Sequence, residues 1–158
     1  MIRIGIAWQI EVNMYASQFL DLCQRYPIVR NCYKGAIAFD EIPNELENNT
    51  FYLVNTSKRN ENGQHWWILS KFSFEIECFD SLGFPTRSQK KLQGLKMSFV
   101  ANLNPVMSIE DQLCGAMSFY FCCNRIFNPQ YHFLDIMNEF FTKSFKINKQ
   151  RVLQFLEP

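Results

Sequence analysis

Three residues of this 158-residue chain have the side-chain types needed for nucleophilic chemistry: Cys114, His65 and Asp80. Cys114 opens a long apolar run. A helix beginning there would present N–H groups and the positive end of its dipole to the thiol, which favours the thiolate. An imidazole beside that sulfur can exchange its proton, and a carboxylate can hold the imidazole in one orientation. Because the chain has only two histidines, His65 and His132, a histidine-based mechanism has few alternatives.

The spacing between His65 and Asp80 predicts that they are neighbours on a β-hairpin. The runs His65–Lys71 and Phe74–Phe79 are rich in aromatic and β-branched residues, which is typical of strands. A turn centred on Phe72-Ser73 predicts three cross-strand pairs, with Cβ atoms roughly 5 Å apart: Leu69 with Ile76, Trp67 with Cys78, and His65 with Asp80. A register slip of one residue would separate the last pair, because successive side chains point to opposite faces.

Each of the three residues also fits a purely structural role. His65 could be a surface histidine at a turn, Asp80 the first residue of an Asp-Ser-x-Gly turn, and Cys114 a core residue at a helix N-terminus. The remaining cysteines fit inert buried thiols: Cys23, Cys32, Cys78, Cys122 and Cys123. The sequence has neither a Cys-x-x-Cys pair nor a Cys/His cluster, so we expect no metal site and no cofactor.

The elements around these residues predict an α+β fold with a small mixed sheet and one buried central helix starting at Cys114. We predict a single domain over residues 1–158. The polar tract Ser57–Gln64, with its Asn62-Gly63 dipeptide, predicts a turn. The other predicted elements are a helix over Tyr15–Arg25, an irregular stretch over 35–49, a strand over Thr50–Asn55, a helix over 88–102, a strand over Val106–Ile109, the central helix over Cys114–Phe127, and helices near 131–143 and 148–156.

Composition limits the partners. With 47% hydrophobic and 20% charged residues the chain is typical of a globular protein, and its net charge of +1 provides no general attraction for nucleic acid. Two local basic runs, Arg87 to Lys96 and Lys143 to Arg151, are better explained as solvated helix faces than as a DNA-binding tract. The sequence has no signal-peptide pattern and no apolar run of membrane-spanning length. We therefore expect an intracellular protein without membrane contact, and a monomer.

Five short motifs follow one another along the chain. They are CYKGAIAFDEIP (32–43), FYLVNT (51–56), GQHWW (63–67), FDSLGFP (79–85) and LCG (113–115). In this order and at these intervals they resemble the adenain family of cysteine proteases, above all those of Maverick/Polinton elements and virophage-like viruses. The order His, Asp, Cys is shared with the SUMO-specific proteases, which have the same core fold.

The resemblance implies a papain-like cysteine endopeptidase that cleaves capsid or core precursor polypeptides during particle maturation. In this reading Cys114 is the nucleophile, His65 the general base and Asp80 its orienting carboxylate. Trp66 and Gly115 would line a narrow cleft that favours small residues such as Gly near the cleavage site. The protein would act in the cytoplasm or nucleus of a host, or inside the virion. Two alternatives are an isopeptidase acting on SUMO or ubiquitin, and a pseudo-protease that serves as a binding module.

One position departs from the family pattern. The family usually has a Gln about seven residues before the cysteine, where its side chain donates a hydrogen bond to the oxyanion, and this chain has Met107 there. A thioether donates no hydrogen bond. Gln112, two residues before Cys114, could replace it, with the Cys114 backbone N–H as the other donor.

Overall fold

The computed structural model describes residues 14–61 and 65–158, and within them five strands form one mixed sheet in the order β1-β2-β3-β4-β5. The inner pairs β2–β3 and β3–β4 are antiparallel, whereas the outer pairs β1–β2 and β4–β5 are parallel. The strands are β1 (Tyr33–Ile37), β2 (Thr50–Asn55), β3 (Trp66–Lys71), β4 (Ile76–Phe79) and β5 (Phe99–Ala101). The helices are α1 (Ala16–Gln24), α2 (Pro27–Cys32), α3 (Thr86–Gly94), α4 (Cys114–Phe127), α5 (Phe133–Phe140) and α6 (Phe145–Leu156). The predicted α+β class with a small mixed sheet is confirmed.

Helix α4 is the centre of the molecule, and its predicted bounds are confirmed. All of its residues from Cys114 to Arg125 are buried, because β3 lies on one side and α1, α2, α5 and α6 surround the others. The ring of Phe121 stacks on Phe79 of β4 at 4.6 Å between centroids. Arg125 forms a buried ion pair with Glu77 of β4, at 2.9 Å from Nε to Oε2. Burial on every side explains why the helix is almost wholly apolar, and these two contacts fix it against the sheet.

The sheet separates two apolar clusters. The first contains α4 together with Leu53, Ile68 and Phe79, and the second contains Trp67 and Cys78. Successive residues of one strand, such as Ile68 and Trp67, therefore contribute to opposite clusters, as the twofold repeat of a strand requires. Both faces of the central strands are buried, which explains their almost continuous apolar sequence.

The predicted register of the β3–β4 hairpin is wrong by two residues. Leu69 pairs with Cys78 and not with Ile76, because the turn occupies residues 72–75 and is longer than a two-residue loop. A shift of two residues leaves every side chain on its predicted face. Asp80 consequently stays near His65 even though the two are not directly opposite in the ladder.

Other predictions differ from the structure at short elements. The helix predicted over 88–102 ends at Gly94, and the chain then passes through Lys96, whose positive φ of 57° ends the helical path, into strand β5. The stretch predicted as irregular over 35–49 contains the end of β1 and a 3₁₀ turn at Phe39–Glu41. The strand predicted over Val106–Ile109 is wrong: this segment is an irregular loop leading to a 3₁₀ turn at Ile109–Asp111.

The remaining predicted helices, over Tyr15–Arg25 and near 131–143 and 148–156, are confirmed as α1, α5 and α6 with somewhat different ends. The strand over Thr50–Asn55 is confirmed as β2. The Asn62-Gly63 dipeptide of the predicted turn lies outside the described residues. Among the residues that are described, none of the helices has the length and apolar character needed to cross a membrane.

Candidate active site

One edge of the sheet brings the predicted site residues together. His65 directly precedes β3, and Asp80 directly follows β4. Because β3 and β4 are antiparallel, the start of one and the end of the other meet at the same edge. Cys114 is the first residue of α4, which packs along β3, so the N-terminus of the central helix opens onto the same place.

His65 connects the other two members of the site. Its Nε2 lies 2.6 Å from Oδ1 of Asp80, and Cys114 lies close enough to help raise the pKa of the ring. Since Nε2 is engaged with the carboxylate, Nδ1 is the ring nitrogen left for the thiol. The structure thus places the three predicted residues in the order thiol, imidazole, carboxylate.

Burial strengthens these contacts. The side chain of His65 is 14% exposed and that of Asp80 is 2% exposed. Burial by itself lowers the pKa of His65, but the hydrogen bonds and charges of Asp80 and Cys114 outweigh it and raise the pKa to about 9. The imidazole is therefore held as a cation at neutral pH, which is the partner that a thiolate requires.

Asp80 is held by its own turn as well as by its neighbours. Its Oδ1 accepts a hydrogen bond from the backbone N–H of Leu82 at 2.9 Å, and its carbonyl accepts one from Gly83 at 2.9 Å. Gly83 has a φ of +84°, and a Cβ added there would lie 2.6 Å from the carbonyl oxygen of Leu103. Only glycine fits this position, which accounts for the Asp-Ser-x-Gly sequence.

The N-terminus of α4 has donors available beside the thiol. The N-cap residue is Leu113, whose side chain makes no capping hydrogen bond, and the first turn carries no acidic residue. The first N–H groups of a helix have no partner within the helix, so those of Cys114 and its neighbours can act on a developing negative charge.

The two residues considered for the side-chain oxyanion donor have different surroundings. Met107 is buried at 3% exposure in the first cluster, where its thioether contributes packing and no hydrogen bond. Gln112 is exposed and has a left-handed backbone with φ 50°, and only Leu113 separates it from the helix. That conformation turns the chain sharply two residues before Cys114 and leaves the amide of Gln112 at the surface near the helix N-terminus.

Trp66 and Gly115, the predicted cleft residues, both contact a residue that the sequence did not indicate. The indole Nε1 of Trp66 donates to the carbonyl of Met14 at 2.8 Å. A Cβ added to Gly115 would lie 2.7 Å from Cβ of Met14, so the glycine permits a close approach of the chain before α1. Met14 therefore narrows the space beside Cys114, which itself is 3% exposed.

The other titratable candidates lie elsewhere. Burial raises the pKa of the thiols at the five remaining cysteine positions, Cys23, Cys32, Cys78, Cys122 and Cys123. His132 is an exposed residue that precedes α5. Within residues 14–61 and 65–158, His, Cys, Asp and Glu side chains form no group of three or more suited to a metal ion.

Comparison with known proteins adds no identification. No protein-family model matches the chain, and a search of curated proteins finds no match either. Neither comparison identifies an adenain-like protease, so the family remains an inference from the motifs. The function has to be argued from the residues of the site.

Proposed function

We propose that the protein is a cysteine peptidase of the adenain type, with a papain-like core, in which Cys114 is the nucleophile. The observation that carries this proposal is that His65 is hydrogen-bonded to Asp80 and lies beside Cys114, the first residue of a buried helix. A thiolate paired with an imidazolium and oriented by a carboxylate is the arrangement that this chemistry needs.

The reaction has two halves. The thiolate of Cys114 attacks the carbonyl carbon of the scissile peptide bond, and His65 delivers its proton to the leaving amine as the C–N bond breaks. A water molecule then attacks the resulting thioester while His65 takes one of its protons. The C–S bond breaks, the carboxylate product leaves, and the thiolate–imidazolium pair is restored. Asp80 stabilises the imidazolium formed in each cycle.

Two groups would stabilise the oxyanion: the backbone N–H of Cys114 and the side-chain amide of Gln112. The first is supported by the uncapped helix N-terminus and the second by the position of Gln112 two residues before the nucleophile. Loss of one such donor typically lowers the rate by about two to three orders of magnitude.

The proposed substrate is a capsid or core precursor polypeptide, cleaved during particle maturation in a host cell or in the virion. We expect small residues beside the scissile bond, because Met14 contacts Trp66 and closely approaches Gly115, the residue next to Cys114. The resemblance of the motifs supports the choice of capsid precursors. The close approach of Met14 to Gly115 supports the preference for small residues.

Co-expression with candidate capsid precursors tests the proposal. Mass spectrometry of new termini should find cleavage after small residues with the wild type and none with Cys114→Ala. At neutral pH, iodoacetamide should label Cys114 faster than free cysteine, and His65→Ala should remove that advantage. If Cys114 and free cysteine are labelled at the same rate, and His65→Ala does not change that rate, the enzymatic proposal is wrong.

A second candidate is a pseudo-protease that binds a polypeptide without cleaving it. It is favoured by the 3% exposure of Cys114 and by Met107, which cannot donate to an oxyanion. It predicts that the wild type and Cys114→Ala capture the same precursor and that both leave it intact.

A further inference from the structure

The side chain of Asn102 forms two hydrogen bonds with the backbone of Asp80. Strands β4 and β5 run parallel, and their last paired residues are Cys78 and Ala101. Directly beyond this pair, Oδ1 of Asn102 accepts the backbone N–H of Asp80 at 2.9 Å, and Nδ2 of Asn102 donates to the carbonyl of Asp80 at 2.6 Å. The primary amide thus replaces a peptide unit at the point where the ladder stops.

Asn102 is itself fixed. It is 8% exposed, its Nδ2 also donates to the carbonyl of Asn104 at 3.1 Å, and its own carbonyl accepts from the backbone N–H of Phe84 at 2.7 Å. The amide therefore connects two loops at the site edge, the Asp80–Gly83 turn and the segment after β5. A buried amide with several partners has one orientation, and it transmits that orientation to the group it binds.

The position of the Asp80 carboxylate depends on these hydrogen bonds from Asn102 to the Asp80 backbone. Its Oδ1 has to accept from Leu82 and reach Nε2 of His65 at the same time, at 2.9 Å and 2.6 Å. A small rotation of the Asp80 backbone would break the second contact. Asn102 restrains both the N–H and the carbonyl of this residue, whereas the turn alone restrains only the carbonyl, through Gly83.

We propose that Asn102 is a positioning residue of the site, which acts on His65 through Asp80 by fixing the backbone that carries the carboxylate. This inference rests on the proposed peptidase function and adds a fourth participant to it. The competing explanation is that Asn102 only attaches the short strand β5 to β4. The two explanations differ in one property, the titration of His65, because attachment alone does not require the carboxylate to move.

The experiment follows the two histidine side chains by NMR across the pH range in wild type, Asn102→Ala and Asn102→Ser, with His65→Ala to assign the signals. The titratable groups acting on the His65 ring are Asp80, from the end of β4, and Cys114, from α4. Asn124→Ala is the matched control, since Asn124 is also 8% exposed and donates one hydrogen bond within α4, to the carbonyl of Tyr120. Thermal unfolding and the iodoacetamide rate of Cys114 are recorded for every variant.

In Asn102→Ala the pKa of His65 should fall from about 9 toward its ordinary value of 6.5, and the alkylation rate of Cys114 should fall with it. The hydroxyl of Asn102→Ser is one bond shorter than the amide and cannot bridge the N–H and the carbonyl of Asp80, so its shift should approach that of Asn102→Ala; it also decides the matter if the alanine variant does not fold. Asn124→Ala should lose stability and leave the His65 titration unchanged.

The proposal is overturned if both Asn102 variants melt earlier while His65 titrates as in the wild type. A failure of the peptidase proposal looks different: Cys114 of the wild type would react no faster than free cysteine and would not respond to His65→Ala. The titration of His65 reports on Asn102 in either case, because it requires no turnover.

Discussion

At the scale of single residues, the pH dependence of stability should reveal the His65–Asp80 contact. The pKa of His65 is raised from 6.5 to about 9 in the folded protein, so the protonated ring stabilises the fold. That contribution is fully present below pH 6.5 and is lost as the pH rises through about 9.

Asp80→Asn should remove most of this contribution. We expect the difference in unfolding free energy between wild type and Asp80→Asn to be largest below pH 6.5 and to shrink as the pH rises toward 9. Urea denaturation at several pH values measures it, and His132→Gln serves as the control because His132 is exposed. A difference that stays constant across this range would contradict the contact.

Gln112 allows backbone strain and catalysis to be separated. Its left-handed conformation, with φ 50°, costs a non-glycine residue about 1 kcal/mol. Gln112→Gly should therefore raise the free energy of unfolding by about that amount. If the amide is the oxyanion donor, turnover should fall by roughly 10²-fold in the same variant.

Lys96→Gly is the matched control for Gln112→Gly. Lys96 is also exposed, with φ 57°, and lies in the connection after α3. It should show the gain in stability and an unchanged rate of peptide cleavage. Unchanged turnover in Gln112→Gly would exclude its side chain as the oxyanion donor and leave the backbone N–H of Cys114 in that role.

At the scale of elements, the close approach of Met14 to α4 predicts that position 115 tolerates only glycine. Gly115→Ala would bring the new Cβ to 2.7 Å from Cβ of Met14, close to its backbone, where little relaxation is possible. We expect a loss of about 1–3 kcal/mol in the free energy of unfolding.

Thermal or urea denaturation measures this loss, and Gly94→Ala provides the control. Gly94 closes α3 without a positive φ, and a Cβ added there meets nothing within 4 Å. Gly94→Ala should leave the free energy of unfolding unchanged or raise it by about 0.4–1 kcal/mol. Equal effects of the two substitutions would show that Met14 does not press against α4.

The elements also show what a sequence can and cannot predict. Helix α4 was predicted with its observed bounds because a fourteen-residue run that is apolar on all sides has one solution, a helix buried at the centre. The hairpin register was missed because Phe74 looks like a strand residue, yet it lies fully exposed in the turn. The sheet face on which each side chain lies was still predicted correctly, because a register shift of two residues does not change it.

Strand β5 and Asn102 could not be predicted from local pattern. β5 has three residues and exists through parallel pairing with β4, a contact between segments about twenty residues apart. The role of Asn102 follows from where that ladder ends. The proximity of His65 to Asp80 was predicted from the sequence, and the hydrogen bonds of Asn102 to Asp80 were not.

At the scale of the whole molecule, the two apolar clusters should unfold together. Each central strand contributes alternate side chains to both clusters, so neither cluster can open while the sheet persists. The cysteines report on the clusters separately, because Cys122 belongs to the first and Cys78 to the second, and both are fully buried. Burial raises the pKa of both thiols well above the ordinary range, which keeps them unreactive in the folded state.

Pulse alkylation at increasing urea, read by peptide mass spectrometry, should therefore show Cys78 and Cys122 becoming reactive at one common midpoint. Leu92→Ala, a truncation in the second cluster, should lower the free energy of unfolding by about 2–5 kcal/mol. It should move both midpoints equally, even though Cys122 belongs to the first cluster. Exposure of Cys78 before Cys122, in either protein, would mean that the two faces of the sheet unfold independently. The end of the sheet that carries His65 and Asp80 would then be able to unfold while α4 and Cys114 remain folded.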